Sequence, residues 1–189
     1  MTGSTGPFAI ELLAKTHQRD RFDCGVDALN RFIHAQARQD MDRGVAVVCV
    51  AVPADAPAQV AGYYSLASTA VRLEDLPDAT RRKLPRYPLV PATLLGRLAV
   101  GRQFRGQRLG EYLLVDALRR ARQASQSVAS VAVIVDAKDD SAAAFYARYG
   151  FMVFPDRPHR LFIAMKTIEQ LGRPEMDHRR LPAPRRPRA

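Results

Sequence analysis

At 189 residues, with 47% apolar and 25% charged side chains, the chain is long enough for one ordinary core and has a globular composition. Its longest apolar runs, such as Val45–Val52, are strand-length, which excludes a bilayer-spanning helix of ~20 residues. Cys24 and Cys49 make no disulfide framework, His17, His34, His159 and His178 are scattered without metal-ligand spacing, and Met1–Pro7 carries no basic-then-apolar leader. A cytoplasmic, metal-free protein is therefore expected, with no membrane association.

The formal charge is +10. Residues 172–189 hold six Arg against Glu175 and Asp177, a net +4, so +6 remains on the body. A basic body suits a polyanion such as nucleic acid, and equally suits a solvated surface that aids solubility.

In chain order, Phe8–Ala14 reads as a strand. Phe22-Asp23-Cys24-Gly25 is turn-like, and Asp27 is placed to cap a helix running to about Arg43. Its stripe of Leu29, Phe32, Ile33, Gln36 and Asp40 is apolar mainly at the start. Gly44 fits the position just past the helix end. Val45–Val52 is a buried strand, Pro53–Gln59 a hairpin loop and Val60–Thr69 the second arm. Pro77–Pro91 is a Pro- and Arg-rich loop with room for one short helix. Ala92–Val100 is a strand, Gly101–Arg108 a loop, and Leu109–Gln123 a helix with Leu109, Leu113, Ala117, Leu118 and Ala121 inward. Val128–Val135 is a strand and Ser141–Tyr149 a helix stopped by Gly150. Phe151–Phe154 and Leu161–Lys166 are the last strands. The order is βαββ, a variable loop, then βαβαββ, which is an α/β chain with a mixed central sheet flanked by helices. Residues 1–171 form the domain, and the Pro/Arg-rich tail from Gly172 is expected to be disordered.

The strand–loop–helix unit around residue 105 is the natural anion site. The first amides of a helix have no internal partner and sit at the positive end of its dipole. Gly106 and Gly110 allow positive φ or close approach. Arg102, Arg105 and Arg108 add charge. Taken alone, this is also what a Gly-rich turn with surface arginines looks like. No GxxxxGK[ST] or GxGxxG string is present.

Arg105-Gly106-Gln107-Arg108-Leu109-Gly110 resembles the [QR]xxGx[GA] acetyl-CoA loop of the GNAT acetyltransferases. The resemblance implies the GNAT fold and acetyl-CoA as acetyl donor, with this loop around the coenzyme pyrophosphate. It implies that the backbone of Leu98, Ala99 and Val100 holds the pantetheine arm. Arg108 departs from the usual Gly, which questions the backbone geometry there and places a cation near a coenzyme phosphate.

Asp139-Asp140-Ser141 through Tyr146 to Gly150-Phe151 resembles the family's NxxAxxxYxxxGF segment. Asp139 and Ser141 are then coenzyme contacts, with Asp139 standing where Asn is common. Tyr146 falls on the family's general acid. Its other reading is a core aromatic, as Phe145 and Tyr149 are taken to be. A thiol has a pKa near ~8.5 and a phenol near ~10, so full proton transfer to the leaving thiolate is uphill by about 2 kcal/mol. A lowered phenol pKa or a strong hydrogen bond would resolve this. Glu74 and Glu111 read as surface residues, so no general base stands out. That favours an α-amine, already partly neutral near pH 7.

The segment from Phe22 to Ala37 resembles the FxCGxxxLNxFLxxQA pattern of GNAT toxins of bacterial toxin–antitoxin modules, the TacT/AtaT-like group. The resemblance implies acetylation of the α-amine of aminoacyl-tRNA, blocked translation, a ribbon-helix-helix antitoxin and a homodimer. Arg86, Arg97 and Arg102 are then candidate phosphate contacts, with ordinary surface charge as their other reading. His34 and Gln36 are packing or capping residues. Two other functions remain open: a GNAT acetylating a small-molecule or protein amine, and an inactive GNAT-like regulatory binding protein, which Arg108 keeps in play.

Overall fold

The computed structural model describes residues 7–171. Its strands are β1 (Phe8–Leu12), β2 (Val47–Pro53), β3 (Gly62–Arg72), β4 (Leu89–Val100), β5 (Ala132–Asp136), β6 (Met152–Phe154) and β7 (Arg157–Ala164). Its helices are α1 (Asp27–Arg31), α2 (Ala37–Asp42), α3 (Asp78–Arg81), α4 (Leu109–Ala124), α5 (Asp140–Arg148) and α6 (Met165–Leu171). The seven strands hydrogen-bond in the order β1-β2-β3-β4-β5-β7-β6, so the expected α/β architecture and element order hold. The arginine-rich tail lies outside the described residues. Among the described residues no helix is long and apolar enough to cross a membrane, and no cluster of His, Cys, Asp and Glu could hold a metal ion.

The chain divides into two compact units. The first takes residues up to Ala67 together with Leu95–Leu118, and the second takes Ser68–Leu94 and residues from Arg119 onward.

In the first unit, β2 lies antiparallel between β1 and β3, with Ile10 opposite Ala51 and Cys49 opposite Tyr64. Val48–Ala51 are fully buried, which is why this run is apolar at every position rather than alternating. Phe22, Phe32, Ile33, Val48, Val50 and Tyr63 belong to one core. The Tyr63 ring stacks on Phe32 and meets Phe22 edge-on, and its hydroxyl donates to the Leu29 carbonyl at 2.8 Å.

The single helix expected over Asp27–Arg43 is instead α1, a π-helical turn at Phe32–Gln36, and α2. The wider turn lets the adjacent Phe32 and Ile33 both reach the core, at 1% and 0% exposure. Val26, not Asp27, occupies the N-cap, and Asp27 sits in the first turn. Gly44 follows α2 with φ +68°, the left-handed conformation a helix end uses.

In the second unit, β7 lies antiparallel between β5 and β6, with Ile134 opposite Phe162 and a bulge at Val153/Phe154. Val71, Leu76, Val90, Ile134, Phe154 and Phe162 share its core. The strand limits differ from the sequence reading. β4 begins at Leu89 rather than Ala92 and contains Pro91, whose carbonyl still accepts from the Val131 amide. Val128 is exposed, and β5 starts only at Ala132. β7 starts at the polar Arg157, where the sequence offers no apolar pattern. Met165 and Lys166 are helical rather than extended, because Met165 and Ile168, three residues apart, bury one face of α6.

Burial pushes both Tyr63 and Tyr64 phenols well above the ordinary tyrosine pKa. Both phenols therefore stay protonated in the folded chain at pH values where the unfolded chain ionises them. Their stabilising effect is complete below pH ~10 and is lost as pH rises beyond it, by about 1.4 kcal/mol per pH unit for each suppressed group. Urea unfolding is expected to show full stability at pH 9 and a clear fall by about pH 11. An unchanged midpoint would mean that these rings are accessible to hydroxide.

Candidate active site

Strand β4 carries Leu98, Ala99 and Val100 to Gly101, and Ala99 is 5% exposed. The Gly101 amide donates to the Ala61 carbonyl at 2.8 Å, and a 3₁₀ turn at Arg102–Phe104 follows. This loop is clipped to the Asp23–Gly25 turn. The Arg102 amide donates to the Asp23 carbonyl at 2.9 Å, the Arg102 Nε lies 3.4 Å from the Asp23 carboxylate, and the Arg105 guanidinium donates to the Cys24 carbonyl at 2.6 Å. The turn itself is fixed by Asp23 Oδ1, which accepts from the Gly25 amide at 2.8 Å and from the Asn30 side chain at 2.9 Å. Hydrogen bonds from Asn30 and then Gly25, with Arg102 and Arg105 nearby, hold the Asp23 carboxyl below the usual carboxylate range. Asn30 Oδ1 in turn accepts from the Cys24 amide.

Past Arg105, Gly106 has φ +78°, and a Cβ there would meet nothing within 4 Å. Gln107 is exposed. Arg108 has φ +58°, the one non-glycine residue with positive φ among the described residues. The left-handed geometry that glycine would give this loop is therefore kept with arginine in place. Arg108 donates through Nε and Nη2 to both oxygens of Glu111, at 2.9 and 2.7 Å. Glu111, read from the sequence as a surface residue, has a side chain only 14% exposed. The Tyr112 amide donates to the Arg108 carbonyl at 3.1 Å, closing the first turn of α4. The amides of Leu109, Gly110 and Glu111 precede that bond and have no partner inside the helix. Leu109, 1% exposed, pins this end to the core, and Gly110 is half-buried. These amides, the open Gly106 backbone and the Arg108 guanidinium fit a phosphate ligand.

Holding an L-residue left-handed costs ~1–2 kcal/mol, while an ion pair whose arginine is exposed returns about 0–1. Arg108→Gly is therefore expected to change the unfolding free energy by no more than ~1 kcal/mol. A loss above ~2 kcal/mol in chemical denaturation would show that the Arg108 side chain supports the loop in another way.

Tyr146 lies in the second unit on α5, which starts one residue earlier than expected. Asp139 is its N-cap, with Oδ1 accepting from the Ala142 amide at 2.8 Å. Lys138 and then that amide hold the Asp139 carboxyl below its usual range. Ser141 is exposed in the first turn. Tyr146 is 8% exposed, with Phe145 and Phe151 rings at 5.3 and 5.4 Å. Phe145 and Tyr149, expected in the core, are only half-buried, since they lie to either side of the inward face that Tyr146 occupies. Burial pushes the Tyr146 phenol up to about 12, against the lowered pKa that the sequence argument allowed.

The candidate nucleic-acid arginines have three different environments. Arg97 packs its guanidinium 3.7 Å over the Phe32 ring, and Arg102 pairs with Asp23. Arg86 is exposed in the loop before β4. His34 donates from Nε2 to the Phe22 carbonyl at 2.8 Å, in keeping with a packing role.

The sequence reading missed the Asp23–Asn30 network, although Asp-x-Gly is an Asx-turn signature. It also missed Asp116, 8% exposed on α4, which accepts from the Tyr64 hydroxyl at 2.6 Å across 52 residues.

A model of the acetyltransferase (GNAT) domain matches residues 37–153. A tRNA-acetylating toxin of Mycobacterium tuberculosis (strain ATCC 25618 / H37Rv) is 42% identical over 113 residues, which is 60% of this chain and 67% of the relative. The structure of AtaT complexed with acetyl-methionyl-tRNAfMet superposes with a TM-score of 0.80 at 30% identity, covering 87% of this chain and 98% of that one. A mutant AtaT toxin bound to the C-terminus of the antitoxin AtaR and acetyl-CoA superposes with a TM-score of 0.74 at 27% identity, covering 88% and 98%.

Proposed function

The chain belongs to the acetyltransferase (GNAT) family, and on that premise we propose that it is a toxin that moves the acetyl group of acetyl-CoA onto the α-amine of aminoacyl-tRNA. The observation that carries this substrate is the likeness to tRNA-acetylating toxins over most of the chain.

In this reading the amides of Leu109, Gly110 and Glu111, the backbone of Gly106 and Gln107, and the guanidinia of Arg105 and Arg108 receive the coenzyme pyrophosphate. The backbone of Leu98, Ala99 and Val100 and the Asp139–Ser141 corner receive the pantetheine arm. The amine nitrogen forms a bond to the acetyl carbon, the carbon–sulfur bond breaks, and the amine proton leaves to solvent. The Tyr146 phenol supplies a proton, or a hydrogen bond, to the departing sulfur, and a phenolate so formed takes its proton back from solvent, which balances the proton lost by the amine. The thiol pKa is ~8.5 and the buried phenol is near 12, so complete transfer before bond cleavage would cost about 5 kcal/mol. Tyr146 therefore acts as a donor whose proton moves only as charge develops on sulfur.

Arg86, Arg97 and Arg102 are read as RNA contacts, with Arg97 and Arg102 also serving the packing described above. Acetylating an aminoacyl-tRNA removes it from elongation, so the proposed setting is the cytoplasm. The proposed assembly is a homodimer held in check by a ribbon-helix-helix antitoxin, and the proposed catalytic domain is residues 1–171. An inactive regulatory protein loses its main support, because Arg108 keeps the left-handed loop geometry.

The test mixes purified protein, radiolabelled acetyl-CoA and bulk charged tRNA. RNase-sensitive, acid-precipitable label that needs charging is the expected result. Bound acetyl-CoA with no label on RNA would leave an acetyltransferase of a small-molecule or protein amine.

A further inference from the structure

Within the first unit, α4 is docked on β3 at two points. At Gly62 it comes so close that a Cβ would stand 2.8 Å from Leu113 Cδ1 and 3.5 Å from Leu109 Cδ2. Two residues on, along the same face of β3, Tyr64 is fully buried and its hydroxyl donates to Asp116 Oδ2 at 2.6 Å. Leu109, Leu113, Asp116 and Ala117 stand at i, i+4, i+7 and i+8, so a carboxyl occupies the inward stripe of a helix that is otherwise apolar there. Asp116, 8% exposed, is the one acidic residue buried among the described residues.

A buried polar pair adds little stability, because taking two polar groups out of water offsets most of what their hydrogen bond returns. What it supplies is position. The contacts of Leu109 and Leu113 are non-directional, so they tolerate a helix that slides along the sheet. A hydrogen bond of 2.6 Å between two side chains weakens steeply with distance and angle, and it does not tolerate sliding. Asp116 stands seven residues from Leu109, about 10 Å along the axis at ~1.5 Å per residue. A helix held by its own ladder passes any shift at Asp116 on to its first turn. The amides of Leu109, Gly110 and Glu111 therefore stand where the Tyr64–Asp116 bond puts them.

We infer that Tyr64 and Asp116 are positioning residues for acetyl-CoA: the bond between them sets the height of α4 on the sheet, so that its first amides meet the coenzyme pyrophosphate. The inference rests on the reading that those amides receive the pyrophosphate, and its test separates the two. Coenzyme A is titrated calorimetrically into the full chain, beside a thermal melt and a proton–nitrogen correlation spectrum of each protein. Tyr64→Phe/Asp116→Leu replaces both partners by apolar groups of similar shape and is expected to melt at or above the parent temperature. It is nevertheless expected to bind coenzyme A about tenfold more weakly, the equivalent of one charge-assisted amide–phosphate bond. The Leu109, Gly110 and Glu111 amide signals of the free protein should move with it. Asp116→Asn keeps an oxygen for the Tyr64 hydroxyl and should hold the affinity within about twofold of the parent. A pair that served stability alone would do the reverse, lowering the melt and leaving the affinity of the folded chain unchanged.

Parent-like affinity in the double variant, with coenzyme A still moving the Leu109, Gly110 and Glu111 amides of the parent, would overturn the positioning role and leave the pyrophosphate reading standing. Coenzyme A bound to the parent without moving those amides would sink the pyrophosphate reading, and the inference with it. A tenfold loss in Asp116→Asn would show that the charge and not the bond matters, and would also overturn it. Where the double variant melts below the assay temperature, Tyr64→Phe, which removes only the hydroxyl, takes its place. The same loss of affinity is expected there, and an unchanged affinity would decide against the inference.

Discussion

Replacing Tyr146 with Phe is expected to lower acetyl transfer by roughly 10²- to 10⁴-fold and leave the fold standing. The ring is what α5 buries: at 8% exposure, with Phe145 and Phe151 against it, Phe keeps nearly all of the packing and loses only the hydroxyl. The missing hydroxyl removes the proposed donor to the departing sulfur. Single-turnover kinetics with saturating acetyl-CoA, beside a thermal melt, separates chemistry from stability. A loss below about threefold would remove Tyr146 from the reaction. The pH profile adds an independent check. With the phenol at about 12, Tyr146 stays protonated across the working range. The rate should rise as the substrate amine loses its proton, at or below pH ~8, and then stay flat. An alkaline fall near pH 9 would point to a different acid.

The second large effect is expected at Gly62, the first residue of β3. A Cβ placed there would stand 2.8 Å from Leu113 Cδ1 and 2.9 Å from the Ala99 carbonyl oxygen. The leucine can rotate, but the carbonyl belongs to the backbone of β4 and cannot yield without moving the strand assigned to the pantetheine arm. Gly62→Ala is expected to cost about 1–3 kcal/mol by overpacking, seen as a Tm drop of several degrees. It should also raise the KM for acetyl-CoA more than it lowers kcat. Unchanged Tm and KM together would mean that α4 and β4 give way more easily than their packing suggests.

How far these features could be read from the sequence depends on how local they are. Arg105–Gly110 and Asp139–Phe151 each lie within a single loop-and-helix stretch, so residue order alone exposes them. The departure at Arg108 was visible, but its outcome was not. The folded loop holds that arginine at φ +58° and pairs it with Glu111, a residue that sequence reading placed on the surface. The clip between Asp23 and Arg102, and the bond between Tyr64 and Asp116, join residues that no periodicity connects. The element order was legible because β-branched runs and helical stripes alternate cleanly. The strand ends were not, since Pro91 sits inside β4 and β7 opens on Arg157-Pro158-His159-Arg160, where pairing rather than apolar pattern sets the limit. The π-helical turn also escaped, because one extra residue per turn leaves no compositional mark.

Both cysteines of the chain are buried, Cys24 at 4% exposure and Cys49 at 0%. The native fold should therefore be nearly silent toward thiol reagents, and slow modification would report the opening of the first unit. That silence makes the unaltered chain a clean background for spectroscopy. A single cysteine introduced at an exposed position such as Val128, 73% exposed, would take one fluorophore without first removing either native cysteine.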